Sequence, residues 1–328
     1  MRVFVAGAGG AVGKRLVPML VARGHLVTGT ATSERVAEAI RSLGASAVVV
    51  DGLDAAGVGE AVARAEPDAI IHEMTALSGT PDFKHFDRWF ALTNRLRTEG
   101  TRNLLAAAHA SGVKRFVAQS FTGWSNARTG SWVKTEDDAL DPNPVKEQTE
   151  TLAAIKYLER AVLSAPLDGI VVRYGGLYGP GSSEKLVEVL NKRMFPVIGD
   201  GAGMISSTHI DDAAGGTLAA LERGRPGIYN IVDDEPARAR DFIPAIAEAV
   251  GAKPPLHVPA WLGRLFAGEV AVTMMTEGRA ASNEKARREL DWQPIWPSWR
   301  DGFRDGLEAS VPLPPRATAA ELEGRSAA

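Results

Sequence analysis

Seven residues near the amino terminus, Gly7-Ala8-Gly9-Gly10-Ala11-Val12-Gly13, carry the most specific chemistry in the 328-residue sequence. They stand between a β-rich run, Val3-Phe4-Val5, and an amphipathic stretch with Val12, Leu16, Met19 and Leu20 at helical spacing. Glycines placed this way let the chain turn sharply, let a pyrophosphate approach the backbone, and let helix pack on strand. The helix start then offers free N–H groups and partial positive charge to phosphate. The loop is expected to hold a dinucleotide through Gly7, Gly10, Ala11, Val12 and Gly13. Asp51, Gly52 and Leu53, after the third strand, are expected beside the adenine, and Ala76, after the fourth, beside a ribose. NAD specificity usually needs a carboxylate about 20 residues past the glycines. Here that stretch is Thr28-Gly29-Thr30-Ala31-Thr32-Ser33, with no acid. Thr32, Ser33 and Arg35 suit phosphate oxygens, so NADP is the preferred cofactor. NAD is the alternative, and Glu34 argues for it.

Composition narrows the rest. The chain has no cysteine, which excludes disulfides, thiolate catalysis and cysteine metal sites. Its six histidines show no paired spacing, so no metal site is expected. A net charge of −3 argues against nucleic acid as partner. No apolar run approaches the ~18 residues of a membrane span. The run at the amino terminus is too short for a secretory signal, so the protein is expected to be cytoplasmic, without a membrane partner. No Gly-x-Ser-x-Gly elbow surrounds Ser120, which removes a hydrolase triad.

The elements that must position the loop alternate. Strands are expected at Leu26-Val27-Thr28, Ala47 to Val50, Ala69-Ile70-Ile71, Arg115 to Ala118 and Gly169 to Val172. Helices are expected from Val36 to Leu43, in one long run from about Phe86 to Ala110, and from Leu152 to Leu163. The third strand is apolar throughout, as strands buried on both faces are. Such alternation predicts a doubly wound parallel α/β sheet, a Rossmann fold, covered on both faces. The expected dinucleotide-binding domain is residues 1–175 with about 205–235. Residues 176–204 and 236–310 would form a smaller C-terminal substrate lobe, and 311–328 a tail.

The Gly-x-x-Gly-x-x-Gly spacing resembles the short-chain dehydrogenase/reductase superfamily, in its extended and atypical branches, the epimerase/dehydratase group. Lys114-Arg115-Phe116-Val117 with Ser120, Thr135-Glu136-Asp137-Asp138, and Arg173-Tyr174-Gly175-Gly176-Leu177-Tyr178-Gly179-Pro180 carry the resemblance further. So do His209-Ile210-Asp211-Asp212, Tyr229-Asn230, and Ser282 through Pro294. The landmarks occur in order from residue 1 to about 305. The resemblance implies that the nicotinamide lies between Ser120 and the turn Tyr174-Gly175-Gly176-Leu177. Ser120 is then the expected hydrogen-bond donor to a substrate oxygen, with Thr122 as substitute. Tyr178 is a further candidate donor, although a packing role in its turn is the commoner one.

The sequence departs from the family at its proton-transfer pair. Aligned on Glu159, the Tyr-x-x-x-Lys positions hold Thr151 and Ile155, and the adjacent Lys156 and Tyr157 point about 100° apart on a helix. Ile205 stands where nucleotide-sugar enzymes carry a diphosphate-binding arginine; Arg279 is expected to be a surface or structural residue, with an anion anchor as the alternative. The reading that results is an NAD(P)-dependent oxidoreductase, acting on a small carbonyl or alcohol with a non-standard proton donor, as a monomer or homodimer. The alternatives are a catalytically silent dinucleotide sensor and an epimerase, dehydratase or isomerase that uses its bound nicotinamide.

Overall fold

The structure, a computed structural model, describes residues 1–308 apart from Ser78 and Thr80; the expected 311–328 tail lies outside the described residues. The first half alternates: β1 (Arg2–Ala6), α1 (Ala11–Ala22), β2 (Leu26–Ala31), α2 (Glu34–Ser42), β3 (Ser46–Val49), α3 (Ala55–Ala65) and β4 (Ala69–His72). Then come α4 (Phe86–Trp89), α5 (Ala91–Arg95), a π turn over Leu96–Gly100 and α6 (Thr101–Ala110). β5 (Arg115–Phe121), β6 (Val133–Lys134), α7 (Thr149–Ser164) and β7 (Asp168–Tyr174) follow. The second half holds β8 (Gly176–Tyr178), α8 (Glu184–Asn191), β9 (Val197–Ile198), β10 (Met204–Ile205), β11 (Ser207–His209), α9 (Ile210–Arg223) and β12 (Gly227–Ile231). After these lie β13 (Ala237–Arg238), α10 (Ala239–Ala249), β14 (His257–Val258), α11 (Ala260–Glu277), β15 (Ala280–Ala281), α12 (Glu284–Leu290) and α13 (Trp299–Asp305).

Seven strands form one parallel sheet in the order β12-β7-β5-β4-β1-β2-β3. The chain builds outward from β1 to β3, then crosses back to β4 on the other side of β1. In open α/β sheets ligands bind at such a switch point, outside the carboxyl ends of the strands. One face of the sheet is covered by α1, α2 and α9, the other by α3, α6 and α7. A separate core of Phe242, Ile243, Trp299 and Phe303 holds the C-terminal lobe together. Among the described residues no helix is long and apolar enough to cross a membrane.

Two expectations need correction. β3 is the edge strand, and Val49 is 47% exposed, so its apolar run is not buried on both faces. In addition, α12 belongs with the sheet and not the lobe: Ala286, Leu290 and Trp292 pack into the core beneath α1 and α9. By contrast, the long helical run expected from about Phe86 to Ala110 is present, as α4, α5, the π turn and α6 in direct succession.

Candidate active site

At the switch point the glycine loop is built for close backbone approach. Gly7 adopts φ of 95°, and a Cβ there would lie 2.6 Å from the Glu73 carbonyl carbon at the end of β4. A Cβ on Gly13 would lie 2.4 Å from the Gly7 carbonyl oxygen. Both positions therefore exclude any side chain. Gly10 differs, because its Cβ would meet only the Gly7 oxygen, at 3.2 Å, and the rest of its surroundings are open. The Gly7 N–H donates to Thr30 Oγ1 (2.9 Å), which ties the loop to β2. No side chain caps α1, and its first turn holds no acid, so the N–H groups there are left for an anion. These features fit a dinucleotide pyrophosphate.

The residues expected around the rest of a cofactor lie just beyond the carboxyl ends of β2, β3, β4 and β7. β2 ends at Ala31, and Thr32, Ser33 and Arg35 are exposed just beyond it. Glu34, the only acid in that stretch, is ion-paired with Arg41 further along α2. The Asp51 carboxylate accepts the Leu53 N–H (2.9 Å), and the Gly52 carbonyl accepts from Asn103 (3.1 Å). Ala76 donates its N–H to Thr93 Oγ1 (3.0 Å). Gly175 donates to Thr208 Oγ1 (2.9 Å), while Gly176 and Leu177 open β8, which pairs with β11.

Two buried glutamates lie on opposite faces of the sheet at this level. Glu73 packs toward α9, where the Tyr174 hydroxyl donates to its Oε1 (2.8 Å) and also meets Thr217. Its Oε2 is buried without a hydrogen-bond partner. Burial pushes the Glu73 carboxyl up to about 8, against the hydrogen bonds from Tyr174 and Thr217. The Tyr174 side chain is thus committed to the core.

On the other face Glu159 of α7 takes both guanidinium bonds of Arg173, at 2.7 and 2.6 Å. It also accepts the Ser120 hydroxyl at 2.7 Å. This corrects the expectation for Ser120: its proton is held by a buried carboxylate, so it is not offered to a substrate. His72 bonds Thr101 (3.1 Å) and accepts the Met74 N–H (3.2 Å). Burial holds it down at about 4, so it is neutral. Arg97, on the π turn, is also buried and lies over the Phe90 ring at 5.5 Å. Burial brings it down to about 10, opposed by the nearby Glu159, and it remains charged.

Tyr178 is the second correction. It is buried in the lobe, stacked on Phe303 (4.5 Å between ring centres) and edge-on to His209. Desolvation raises its hydroxyl, with Asp233 adding to the effect, so it is a poorer acid than a free tyrosine. Thr122 is equally buried, at 1% exposed, and differs in its hydrogen bonding. Its hydroxyl accepts from Asn126 Nδ2 (3.0 Å) and makes no further hydrogen bond among the described residues. Thr151 donates to Asp87 (2.6 Å) and accepts from Asn94 Nδ2 (3.0 Å), while Ile155 is 1% exposed. Lys156 reaches the Asp141 carbonyl (2.8 Å). Arg279 stacks on Trp132 at 4.0 Å and donates to the Glu277 and Arg128 carbonyls. His209 caps α9 and bonds the Gly306 carbonyl at 3.0 Å.

Glu73, Arg97 and Thr217 were not singled out from the sequence. Glu73 carried the one available signal, an acid directly after an apolar strand. Arg97 sits among other charged residues of a helical run and reads there as a solvated side chain.

Known proteins share this fold. The model of the NAD dependent epimerase/dehydratase family matches residues 3–232. A 3-diazoavenalumate denitrifying reductase from a Streptomyces species is 42% identical over 314 residues, covering 92% of this chain and 99% of its own. A 4-hydroxy-2-methyl-3-oxo-4-farnesyl-3,4-dihydroquinoline-1-oxide ketoreductase from Stigmatella aurantiaca is 25% identical, covering 94% and 95%. Among solved structures, the Thermus thermophilus UDP-glucose 4-epimerase in complex with NAD superposes with a TM-score of 0.70. It is 25% identical, with 94% of this chain and 98% of that one covered. With its uncapped glycine loop at the switch point of a parallel sheet, the chain belongs to the NAD dependent epimerase/dehydratase family and is an NAD(P)-dependent oxidoreductase.

Proposed function

We propose that the chain is a reductase that uses NADPH in preference to NADH on a small carbonyl or similarly electrophilic substrate. The observation that carries this reading is the open, uncapped start of α1 at Gly10, between β1 and β4. A bound nicotinamide supplies the hydride. Gly7, Gly10 and Gly13 let the phosphates reach the backbone, and Ala11 and Val12 contribute N–H groups of the first turn. Thr32, Ser33 and Arg35 stand where a ribose phosphate is recognised, while Glu34 is occupied by Arg41.

Three hydroxyls were candidates for a donor to substrate oxygen. Ser120 is bonded to Glu159 and Tyr178 is stacked inside the lobe, which leaves Thr122. Asn126 donates to its oxygen and leaves its proton free. A threonine is a very weak acid, so Thr122 orients and stabilises a developing oxyanion, and the proton comes from solvent. The names of the two relatives, both reductases, favour turnover over a silent sensor.

The test is cofactor absorbance with NADPH and NADH across a panel of aldehydes, ketones and conjugated carbonyl compounds. Oxidation of NADPH by at least one member, faster than of NADH, is expected. Tight cofactor binding with no oxidation by any member would contradict the reading.

A further inference from the structure

Beside α7, the π turn holds a buried cation that makes no hydrogen bond or ion pair among the described residues, Arg97, while Arg173 faces both Glu159 and Glu136. Glu159 carries a single negative charge, and Arg173 takes both of its oxygens. His72 is neutral at ordinary pH. Arg97 is 8% exposed, its Nη1 is buried without a partner, and no hydrogen bond or ion pair reaches it among the described residues. Buried charges are normally paired or hydrogen-bonded, because a desolvated, uncompensated ion is costly. A cation kept in this state needs a partner that arrives with a ligand.

Its place in the fold agrees. Arg97 lies on the π turn immediately before Thr101, which bonds His72 at the carboxyl end of β4. Ligands of such sheets bind at those strand ends. π turns are rare and occur frequently at functional sites, since the extra residue turns a side chain off the regular helical face. The guanidinium lies over Phe90, whose ring packs on Phe86, and Phe86 meets Trp124 edge-on at 5.2 Å. Cation and aromatic wall thus stand side by side.

We infer that Arg97 binds an anionic oxygen of the substrate, and that the substrate class is a carboxylate with an aromatic or conjugated body that rests against Trp124, the partly exposed ring of the cluster that Phe86 and Phe90 back from the core. This deepens the reductase reading and rests on it for the identity of the site, although the unpartnered state of Arg97 stands without it.

The test uses cinnamate and its neutral isostere cinnamamide as probes, titrated by calorimetry into the full chain with and without NADPH. Cinnamate is expected to bind wild type about 10- to 100-fold more tightly than cinnamamide, the range of a charged hydrogen bond. Arg97→Met removes that preference, and Arg97→Lys retains part of it. The ligand-free Arg97→Met protein is expected to melt about 2–4 °C above wild type, because an unpaired buried cation has gone. Absence of any preference for cinnamate over cinnamamide in wild type overturns the proposal. So does an Arg97→Met protein that melts below wild type, which would make Arg97 a structural partner of Glu159. If NADPH fails to bind while the cinnamate preference survives, the reductase reading falls and the Arg97 site stands.

Discussion

Glu73 and Glu159 lie on opposite faces of one sheet, near the same strand ends, and the protein treats them in opposite ways. Glu73 sits beneath the glycine loop with hydroxyls for company and no cation in hydrogen-bond contact. Its preferred state is neutral. Glu159 sits beneath the π turn with Arg173 as a bidentate partner and Arg97 nearby. The floor under the phosphate cradle is thus uncharged, while the floor on the α7 side holds Arg97, a buried cation with no hydrogen bond or ion pair among the described residues. An ionised acid directly beneath the loop would oppose phosphate binding. On the other side an unpartnered cation favours an anionic ligand. The contrast assigns two jobs to one crevice, with phosphates held by backbone and helix start and the reacting molecule held by side chains.

The largest way to break this contrast is Arg173→Met. It leaves Glu159 buried with only Ser120 and the more distant Arg97, and breaking a buried pair from one side costs about 3–5 kcal/mol. Urea denaturation should show a loss of that size, and a loss under about 1 kcal/mol would mean Arg97 replaces Arg173 freely.

Glu73→Gln should do the reverse. Because the folded-state carboxyl titrates at about 8 and the unfolded one at 4.5, the unfolded chain releases its proton first as pH rises. Wild type therefore loses stability relative to the variant between pH 4.5 and about 8, and the difference is constant above that. The slope is at most about 1.4 kcal/mol per pH unit. Melting curves at several pH values check it; a difference that shrinks with rising pH would mean that Glu73 is ionised in the fold.

Effects on turnover separate Thr122 from Ser120. Thr122→Val should lower kcat about 100-fold, as loss of an oxyanion donor does, with cofactor affinity unchanged. Ser120→Ala should cost about 1–3 kcal/mol of stability through its bond to Glu159 and change kcat little. The opposite pattern would return the donor role to Ser120. The smallest effect is expected at the cofactor's far end, where Arg35→Ala should weaken NADPH about tenfold and leave NADH unchanged.

Much of the fold was legible in the sequence, because it is written in local patterns. The glycine loop, the strand–helix alternation and the apolar faces of α1 and α7 depend on neighbours a few residues apart. The edge position of β3 was not legible, since Ala47 to Val50 is equally apolar in the middle of a sheet or at its rim. Nor was the π turn, which leaves the apolar period of the 86–110 run almost intact. At the site, backbone features were readable and side-chain commitments were not. Ser120 is held by Glu159, 39 positions away, and Tyr174 by Glu73, 101 positions away. Such partners meet only once the sheet has formed.

The most direct measurement of the central claim is calorimetric titration of wild type and Gly10→Val with NADPH. Gly10 has φ of −73° and ψ of 178°, a backbone open to any residue, and only the Gly7 oxygen lies near its Cβ position. A valine there should lower the melting temperature only modestly, through the crowding of its Cβ against the Gly7 oxygen at 3.2 Å, while its side chain fills the approach to the start of α1. The account predicts NADPH binding by wild type and none by the variant. Equal binding by the two proteins would contradict it, because the phosphates would then lie elsewhere.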